Sequence, residues 1–126
     1  MSPAMTGRSI LIIEDEPLIA MMLEDLVESL GHVAAGSADN VDDALQWVAR
    51  GGFDLVILDV NLGESECWPV ADKLAQHSIP FILATGGHVS PPPSEHAGAP
   101  TLPKPFTLDS VREALESVNV PERDIG

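Results

Sequence analysis

The chain has 126 residues, of which 20 are acidic and only 6 are lysine or arginine. This length suits one domain that buries a core without disulfides or a structural metal. The formal net charge of −14 disfavours nucleic acid and anionic membranes as partners and favours a protein, a cation or a small molecule. The single cysteine, the lack of an apolar signal-peptide core and the lack of an apolar stretch of about 20 residues predict a cytoplasmic protein.

Hydrophobic patterning predicts alternating strands and helices along the chain. Short continuous apolar runs predict strands buried on both faces, and apolar residues at helical spacing predict the helices between them. In chain order, the predicted strands are 9–13, 32–35, 53–59, 81–85 and 101–102. The predicted helices carry their apolar positions within 19–30, 41–49, 67–75 and 108–118. Residues 86–94 contain adjacent glycines and three consecutive prolines, so any helix after the fourth strand should be short and begin late.

This alternation predicts the fold class. We expect an α/β, flavodoxin-like, doubly wound five-stranded parallel sheet in the order 2-1-3-4-5, with helices on both faces and an irregular or shortened fourth helix. The domain should occupy residues 9–119. Residues 1–8 are expected to form a flexible leader and residues 120–126 a loose tail.

Acidic residues end two of the predicted central strands. Glu14 and Asp15 follow the first strand, and Asp59 closes the third. Parallel strands end at one edge of the sheet, where open α/β folds place their sites, and three acids there would repel one another without a cation. Oxygen ligands suit Mg²⁺, which takes few protein carboxylates and so leaves one acid free as a nucleophile. Thr85 and Lys104 add a hydroxyl donor and a positive charge at the same edge, which together predict phosphoryl chemistry.

Four segments around these residues carry a family resemblance. They read Ile-Ile-Glu-Asp-Glu-Pro at 12–17, Leu-Val-Ile-Leu-Asp-Val-Asn at 55–61, Ala-Thr-Gly at 84–86 and Lys-Pro-Phe at 104–106. In order and spacing they resemble the receiver domain of two-component response regulators, over about residues 9–118. The resemblance implies a bacterial signalling protein.

The resemblance also assigns roles to the strand-end residues. In that family the acid matching Asp59 is phosphorylated from a kinase phosphohistidine, and the acids matching Glu14 and Asp15 help to bind Mg²⁺. The residue matching Asn61 supplies a backbone carbonyl to the metal. Together with Asp59, these residues form the implied metal site.

Two further positions complete the implied site. The residues matching Thr85 and Lys104 contact the phosphoryl oxygens in the family. The bond matching Lys104-Pro105 is usually cis, which helps to aim the lysine.

A narrower resemblance involves residues 68–72 and 79–87. These segments are similar to a subclass named for a Phe-Ala-Thr-Gly-x-Tyr motif, which is common in alphaproteobacteria, often works beside kinases of the HWE type and has an irregular fourth helix. Two departures stand out: Leu83 replaces the Phe of the motif, and the chain contains no Tyr. Thr101 occupies the position where many receivers carry an aromatic switch residue.

The implied function is phosphorelay signalling. Asp59 would accept phosphate from a sensor histidine kinase or a histidine phosphotransfer protein, and the chain would catalyse only its own phosphorylation and dephosphorylation. With no output domain in the sequence, we expect signalling through a downstream protein or onward relay, without direct contact with nucleic acid or membrane.

Two alternatives remain open. A phosphatase of the haloacid dehalogenase type also uses a strand-end Asp with Mg²⁺, but it needs a second Asp where this chain has Asn61. A binding-only pseudo-receiver is disfavoured because no position of the site has lost its chemistry.

The remaining residues with reactive side chains receive structural interpretations. Cys67 and Trp68 lie beside an apolar helical face and are expected to pack in the core. The histidines have no metal-ligand spacing, so we expect them to be solvated or to occupy turns. These are His32, His77, His88 and His96.

Overall fold

The computed structural model describes residues 7–63, 65–85 and 93–118. Within those ranges the strands are β1 (Ser9–Ile13), β2 (Val33–Ala38), β3 (Leu55–Asp59), β4 (Asn61–Leu62), β5 (Ser65–Glu66), β6 (Phe81–Thr85) and β7 (Thr101–Pro103). The α-helices are α1 (Pro17–Ser29), α2 (Val41–Arg50), α3 (Trp68–Gln76) and α4 (Leu108–Ser117). A 3-10 turn at Ser94–His96 lies between β6 and β7.

Five strands form one parallel sheet in the order β2-β1-β3-β6-β7. Counted among the main strands alone, this order is 2-1-3-4-5, which confirms the predicted topology. The register places Ile13 opposite Leu58, and Asp59 opposite Ala84. The residues that follow β1 and end β3 are therefore brought to the same level of the sheet.

Both faces of the sheet are covered, as the fold class requires. Alternate residues of β1 and β3 point into two separate apolar clusters, and nearly all of them are fully buried. One cluster contains buried residues of α2 and α3, and the other contains buried residues of α1 and α4. The continuous apolar runs of the sequence arise from this burial on two faces.

Local signals at the helix starts explain where the helices begin. Pro17 opens α1, a position where a missing backbone N–H costs nothing. Asn40 caps α2 by accepting the backbone N–H of Asp43 at 2.8 Å. Thr107 and Ser110 cap α4 by exchanging hydrogen bonds between each side chain and the other's backbone N–H.

The second strand extends further than the sequence pattern predicts. The prediction ended at residue 35, before Gly36, but β2 continues through Gly36 and Ser37, which pair with Leu11 and Ile12 of β1. The ring of Trp47 covers Gly36 so closely that a Cβ atom there would lie 2.6 Å from Cη2. This glycine therefore serves close packing inside a strand and does not mark a turn.

The region after β6 fits the predicted irregular fourth helix. In the part that the structure describes, only the 3-10 turn at Ser94–His96 stands between β6 and β7. Residues 86–92 of the predicted irregular stretch lie outside the described residues, as do residues 1–6 of the leader and residues 119–126. No helix within the described ranges is both long enough and apolar enough to span a membrane.

The prediction for the histidines was wrong for His32, whereas His96 occupies a turn as predicted. His96 is buried: its ring stacks on Trp68 at a centroid distance of 5.9 Å and meets the ring of Phe81 edge-on at 5.6 Å. Its Nε2 atom lies 2.8 Å from a carboxylate oxygen of Asp72. His32 is also buried, and its Nδ1 atom accepts the backbone N–H of Arg8 at 3.3 Å.

The other interpretations of these residues have mixed outcomes. His77 is exposed, as predicted, while His88 lies outside the described residues. Cys67 is fully buried in the cluster that packs against α2 and α3, which confirms the predicted core thiol. Trp68 is half-buried and packs against the same cluster.

Candidate functional site

The carboxyl edge of the sheet gathers the three predicted acids. One carboxylate oxygen from each of Glu14, Asp15 and Asp59 can be chosen so that all three lie within 4.8 Å of one another. Glu14 and Asp59 are buried, whereas Asp15 is half-buried. Neighbouring parallel strands that end at the same level produce this cluster, which confirms the predicted gathering of the acids.

Lys104 supplies the positive charge of the site. Its Nζ atom lies 3.3 Å from Oε1 of Glu14 and 3.5 Å from Oδ2 of Asp59. The lysine follows β7 directly, and its bond to Pro105 is cis, as the resemblance implied. The single lysine thus bridges the two buried acids.

Backbone N–H groups hold the other carboxylate oxygens. Oε2 of Glu14 accepts the N–H of Glu16 at 3.2 Å, and Oδ1 of Asp59 accepts the N–H of Asn61 at 3.2 Å. Oδ2 of Asp15 accepts the N–H of Gly63 at 3.0 Å. Each acid is therefore oriented by the chain that follows a strand.

Burial and crowding alter the ionisation of the site. Burial, followed by the charge of Asp59, raises the pKa of Glu14 from 4.5 to about 7. Burial also raises the pKa of Asp59, although Lys104 opposes this change. Burial alone would lower the pKa of Lys104, but the charges of Asp59 and Glu14 raise it overall. Glu14 and Asp59 are thus harder to ionise than ordinary carboxyl groups.

The donor set fits a hard divalent cation. Oε1 of Glu14 is buried and makes no hydrogen bond within the part of the chain that the structure describes. Its 3.3 Å contact with Lys104 is an ion pair without hydrogen-bond alignment. A buried oxygen without a hydrogen-bond donor, beside two further carboxylates, offers the all-oxygen coordination that Mg²⁺ prefers. The residues present therefore fit the predicted metal.

The remaining predicted residues also lie at this edge. Thr85 ends β6 half-buried, and its carbonyl oxygen accepts the backbone N–H of Lys104 at 2.8 Å. Asn61 is exposed and opens a small antiparallel hairpin that β4 and β5 form. All six predicted site residues thus lie at, or directly beyond, the carboxyl ends of the four neighbouring strands β1, β3, β6 and β7.

Gly63 is the one site residue that the sequence interpretation missed. It lies in the turn between β4 and β5 with a φ of +67°, and its N–H contacts Asp15 across 48 positions of sequence. The signal available was the isolated glycine soon after a strand, which indicates a turn. Nothing in the local pattern indicated that this turn would reach the acids.

The doubly wound α/β domain, with clustered acids and a lysine at its carboxyl edge, has the arrangement that the sequence resemblance to receiver domains implied. Residues 10–116 match the family described as the response regulator receiver domain. The chain belongs to this family of two-component signalling proteins.

The chain is similar to several solved structures. One is SdrG from Sphingomonas melonis Fr1, which is 50% identical with a TM-score of 0.80, over 93% of this chain and 98% of that chain. Another is the receiver domain of the PhyR response regulator from Erythrobacter litoralis, which is 37% identical with a TM-score of 0.72, over 95% of this chain and 98% of that chain.

Among curated proteins, the chain is 44% identical over 79 residues to the phyllosphere-induced regulator PhyR of Methylorubrum extorquens. That match covers 60% of this chain and 30% of PhyR. A match to the sensor histidine kinase RcsC of Escherichia coli strain K12, at 28% identity, covers 84% of this chain and only 12% of the kinase. The chain thus spans less than a third of the length of these relatives.

Proposed function

We propose that the chain accepts a phosphoryl group on Asp59 from a phosphohistidine and acts in a phosphorelay. The observation that best supports this proposal is the position of Asp59. This acid ends the central strand β3, and its Oδ2 atom lies 3.5 Å from Nζ of Lys104. The carboxylates of Glu14 and Asp15 lie close enough to share a metal ion with it. In this role the chain catalyses only its own phosphorylation and dephosphorylation. Membership of the receiver family supports the proposal.

In the proposed reaction a carboxylate oxygen of Asp59 attacks phosphorus. An oxygen–phosphorus bond forms, the phosphorus–nitrogen bond of the donor breaks, and the leaving imidazole takes a proton from solvent. Glu14 and Asp15, with Asp59 and the backbone carbonyl of Asn61, would hold Mg²⁺, which neutralises phosphoryl charge when bound. The N–H of Asn61 orients Asp59 for the attack, because it holds Oδ1 at 3.2 Å.

Lys104 and Thr85 are proposed to respond to the new charge. Phosphorylation places up to two negative charges where Asp59 carried one. The Lys104 ammonium can then leave its contact with a carboxylate and contact the phosphoryl oxygens instead. Thr85 ends the adjacent strand and would donate its hydroxyl to the same oxygens. Because Thr101 has no ring, this change would pass to the following segment without an aromatic side-chain flip.

The similarity to SdrG and to PhyR supports a more specific proposal about partners. We infer that the chain belongs to the Phe-Ala-Thr-Gly-x-Tyr subclass and receives phosphate from a kinase of the HWE type or from a phosphotransfer protein. PhyR from Bartonella quintana, 33% identical, is described as an anti-anti-sigma factor, and the match covers 46% of it. A downstream protein partner is therefore proposed here, and the cytoplasmic location stays a prediction.

Labelling with acetyl phosphate and Mg²⁺ tests the proposal. Intact-mass measurement should show one added phosphoryl group on the wild type and none on Asp59→Asn. Asp39→Asn is a matched control, because Asp39 follows strand β2 of the same sheet but is exposed and outside the acid cluster. This variant should label like the wild type. Labelling of Asp59→Asn would refute the assignment.

This labelling experiment and an assay of phosphomonoester turnover together separate the alternatives. Failure of the wild type to gain phosphate would favour a binding-only pseudo-receiver. Repeated turnover of a phosphomonoester would favour the phosphatase, although the exposed Asn61 offers no acid at the position that enzyme requires. A SdrG structure in a BeF3-activated conformation, 49% identical to this chain, makes beryllium fluoride a suitable stable mimic for follow-up by NMR.

A further inference from the structure

The three acids of the site are held in different ways. Glu14 and Asp59 are buried and share Lys104. Asp15 is half-buried and, among the described residues, no ion pair within 4.0 Å involves it. Its recorded side-chain hydrogen bond comes from the N–H of Gly63 at 3.0 Å. The orientation of Asp15 therefore depends on a turn that lies elsewhere in the sequence.

That turn belongs to the hairpin of β4 and β5. The hairpin is anchored at its base, because the N–H of Asn61 binds Asp59 and the side chain of Leu62 is buried. At its tip, Gly63 adopts a φ of +67°, a conformation that favours glycine. A Cβ at Gly63 would meet nothing within 4 Å, so only the backbone conformation, and no lack of space, favours glycine here. The hairpin thus connects Asp59 to Asp15 through two backbone N–H groups.

We propose that Gly63 is a positioning residue for the metal site, and that its N–H presets Asp15 for Mg²⁺. This inference rests on the proposed function. The hydrogen bond engages one lone pair of Oδ2 and leaves Oδ1 free for a cation. An ordered carboxylate loses less conformational freedom on metal binding, and groups of this kind also orient metal ligands in other proteins. Loss of the contact should weaken Mg²⁺ binding by roughly 3- to 10-fold.

Substitutions at Gly63 test the conformation without a steric clash. Gly63→Val disfavours a positive φ strongly because valine is β-branched, so the N–H should move away from Asp15. Gly63→Asn tolerates the same φ and should bind Mg²⁺ within about twofold of the wild type. Gly51→Val is the matched control: Gly51 has a φ of +79°, a Cβ there meets nothing within 4 Å, and it follows α2 away from the acids.

The measurement is a Mg²⁺ titration followed by backbone amide NMR shifts, with urea unfolding of each variant to show that it is folded. Gly63→Val should bind about 3- to 10-fold more weakly, while Gly51→Val loses stability and keeps its affinity. In an Asp15→Asn background, Gly63→Val should cause no further loss of affinity. If Gly63→Val does not fold, Gly63→Ala serves as the milder variant.

The outcomes distinguish a failure of the positioning role of Gly63 from a failure of the proposed metal site. Wild-type affinity of Gly63→Val, or an equal loss for Gly63→Val in the Asp15→Asn background, refutes the positioning role and leaves the metal site intact. A wild type whose strand-end amides do not respond to Mg²⁺ refutes the proposed metal site itself.

Discussion

Replacing Glu14 by Gln should stabilise the protein at alkaline pH. A carboxyl group whose pKa rises from 4.5 to about 7 on folding binds its proton more tightly in the folded state. Between these two pH values the folded state carries more protons than the unfolded state, so the free energy of unfolding falls as pH rises. Above pH 7 the full penalty of about 3 kcal/mol applies, because both states are then ionised. Glutamine keeps the shape of the side chain and removes this penalty.

The size of the effect should depend on pH. From the same two pKa values, Glu14→Gln should raise the free energy of unfolding by up to about 3 kcal/mol at pH 8 and by only about 1 kcal/mol at pH 5.5. Urea unfolding at both pH values, without divalent cations, measures the difference. Work below pH 5 is less useful, because the sequence isoelectric point is about 4.3.

A matched control and a ligand make the test specific. Glu16 is exposed, so Glu16→Gln should change stability by less than about 0.5 kcal/mol at either pH. Added Mg²⁺ should stabilise the wild type more than Glu14→Gln at pH 8, because the ion supplies a positive charge beside the ionised Glu14 carboxylate, which the variant lacks. Equal effects of Glu14→Gln at both pH values, or destabilisation at pH 8, would refute the reasoning.

Three further predictions concern the core. Burial raises the pKa of the Cys67 thiol to about 12, so alkylation of the folded protein at pH 8 should proceed no faster than unfolding; rapid alkylation would contradict this. Gly36→Ala should destabilise by about 1–3 kcal/mol in urea because the Trp47 ring, which packs against Phe53 and Arg50, would have to shift, and unchanged stability would contradict this. His96→Ala should cost about 2 kcal/mol and speed amide hydrogen exchange at Ala99, whose N–H binds the His96 carbonyl at 3.1 Å; unaltered exchange would argue against a structural role.

Much of the fold was predictable because burial on both faces leaves a direct mark on a sequence. Each of the runs in β1 and β3 is continuous and apolar, and Ile10, Ile12 and Leu58 are essentially inaccessible to solvent. Parallel strands share one carboxyl edge, so the position of Glu14 and Asp59 in the sequence was enough to predict that they meet. The acid cluster follows from these facts once the strand order 2-1-3-4-5, which comes from the flavodoxin-like fold class, makes the first and third strands neighbours.

The features that escaped prediction depend on contacts between distant parts of the chain. The strands of the β4–β5 hairpin have two residues each, which is too short for any periodicity to appear. The contact between Gly63 and Asp15 exists only because the sheet places their two loops side by side. The burial of His96 was not predicted because nothing in its neighbourhood indicates it; its partners Trp68 and Phe81 come from α3 and β6.

Burial makes the acids of the site costly to ionise, and we expect the same burial to make the site sensitive to a bound cation or phosphoryl group. Three clustered carboxylates, two of which contact one lysine, carry unbalanced negative charge when they are ionised, and burial strengthens the interactions of Glu14 and Asp59. In such surroundings a cation or a phosphoryl group changes the local energy far more than it would on an exposed surface. The exposed Asp39 also follows a strand but lies outside the acid cluster, so ionisation and ligand binding there would have little effect on the fold. In the proposed function, we therefore expect the crowded acids to convert a small chemical change at Asp59 into a change in stability to which neighbouring loops respond.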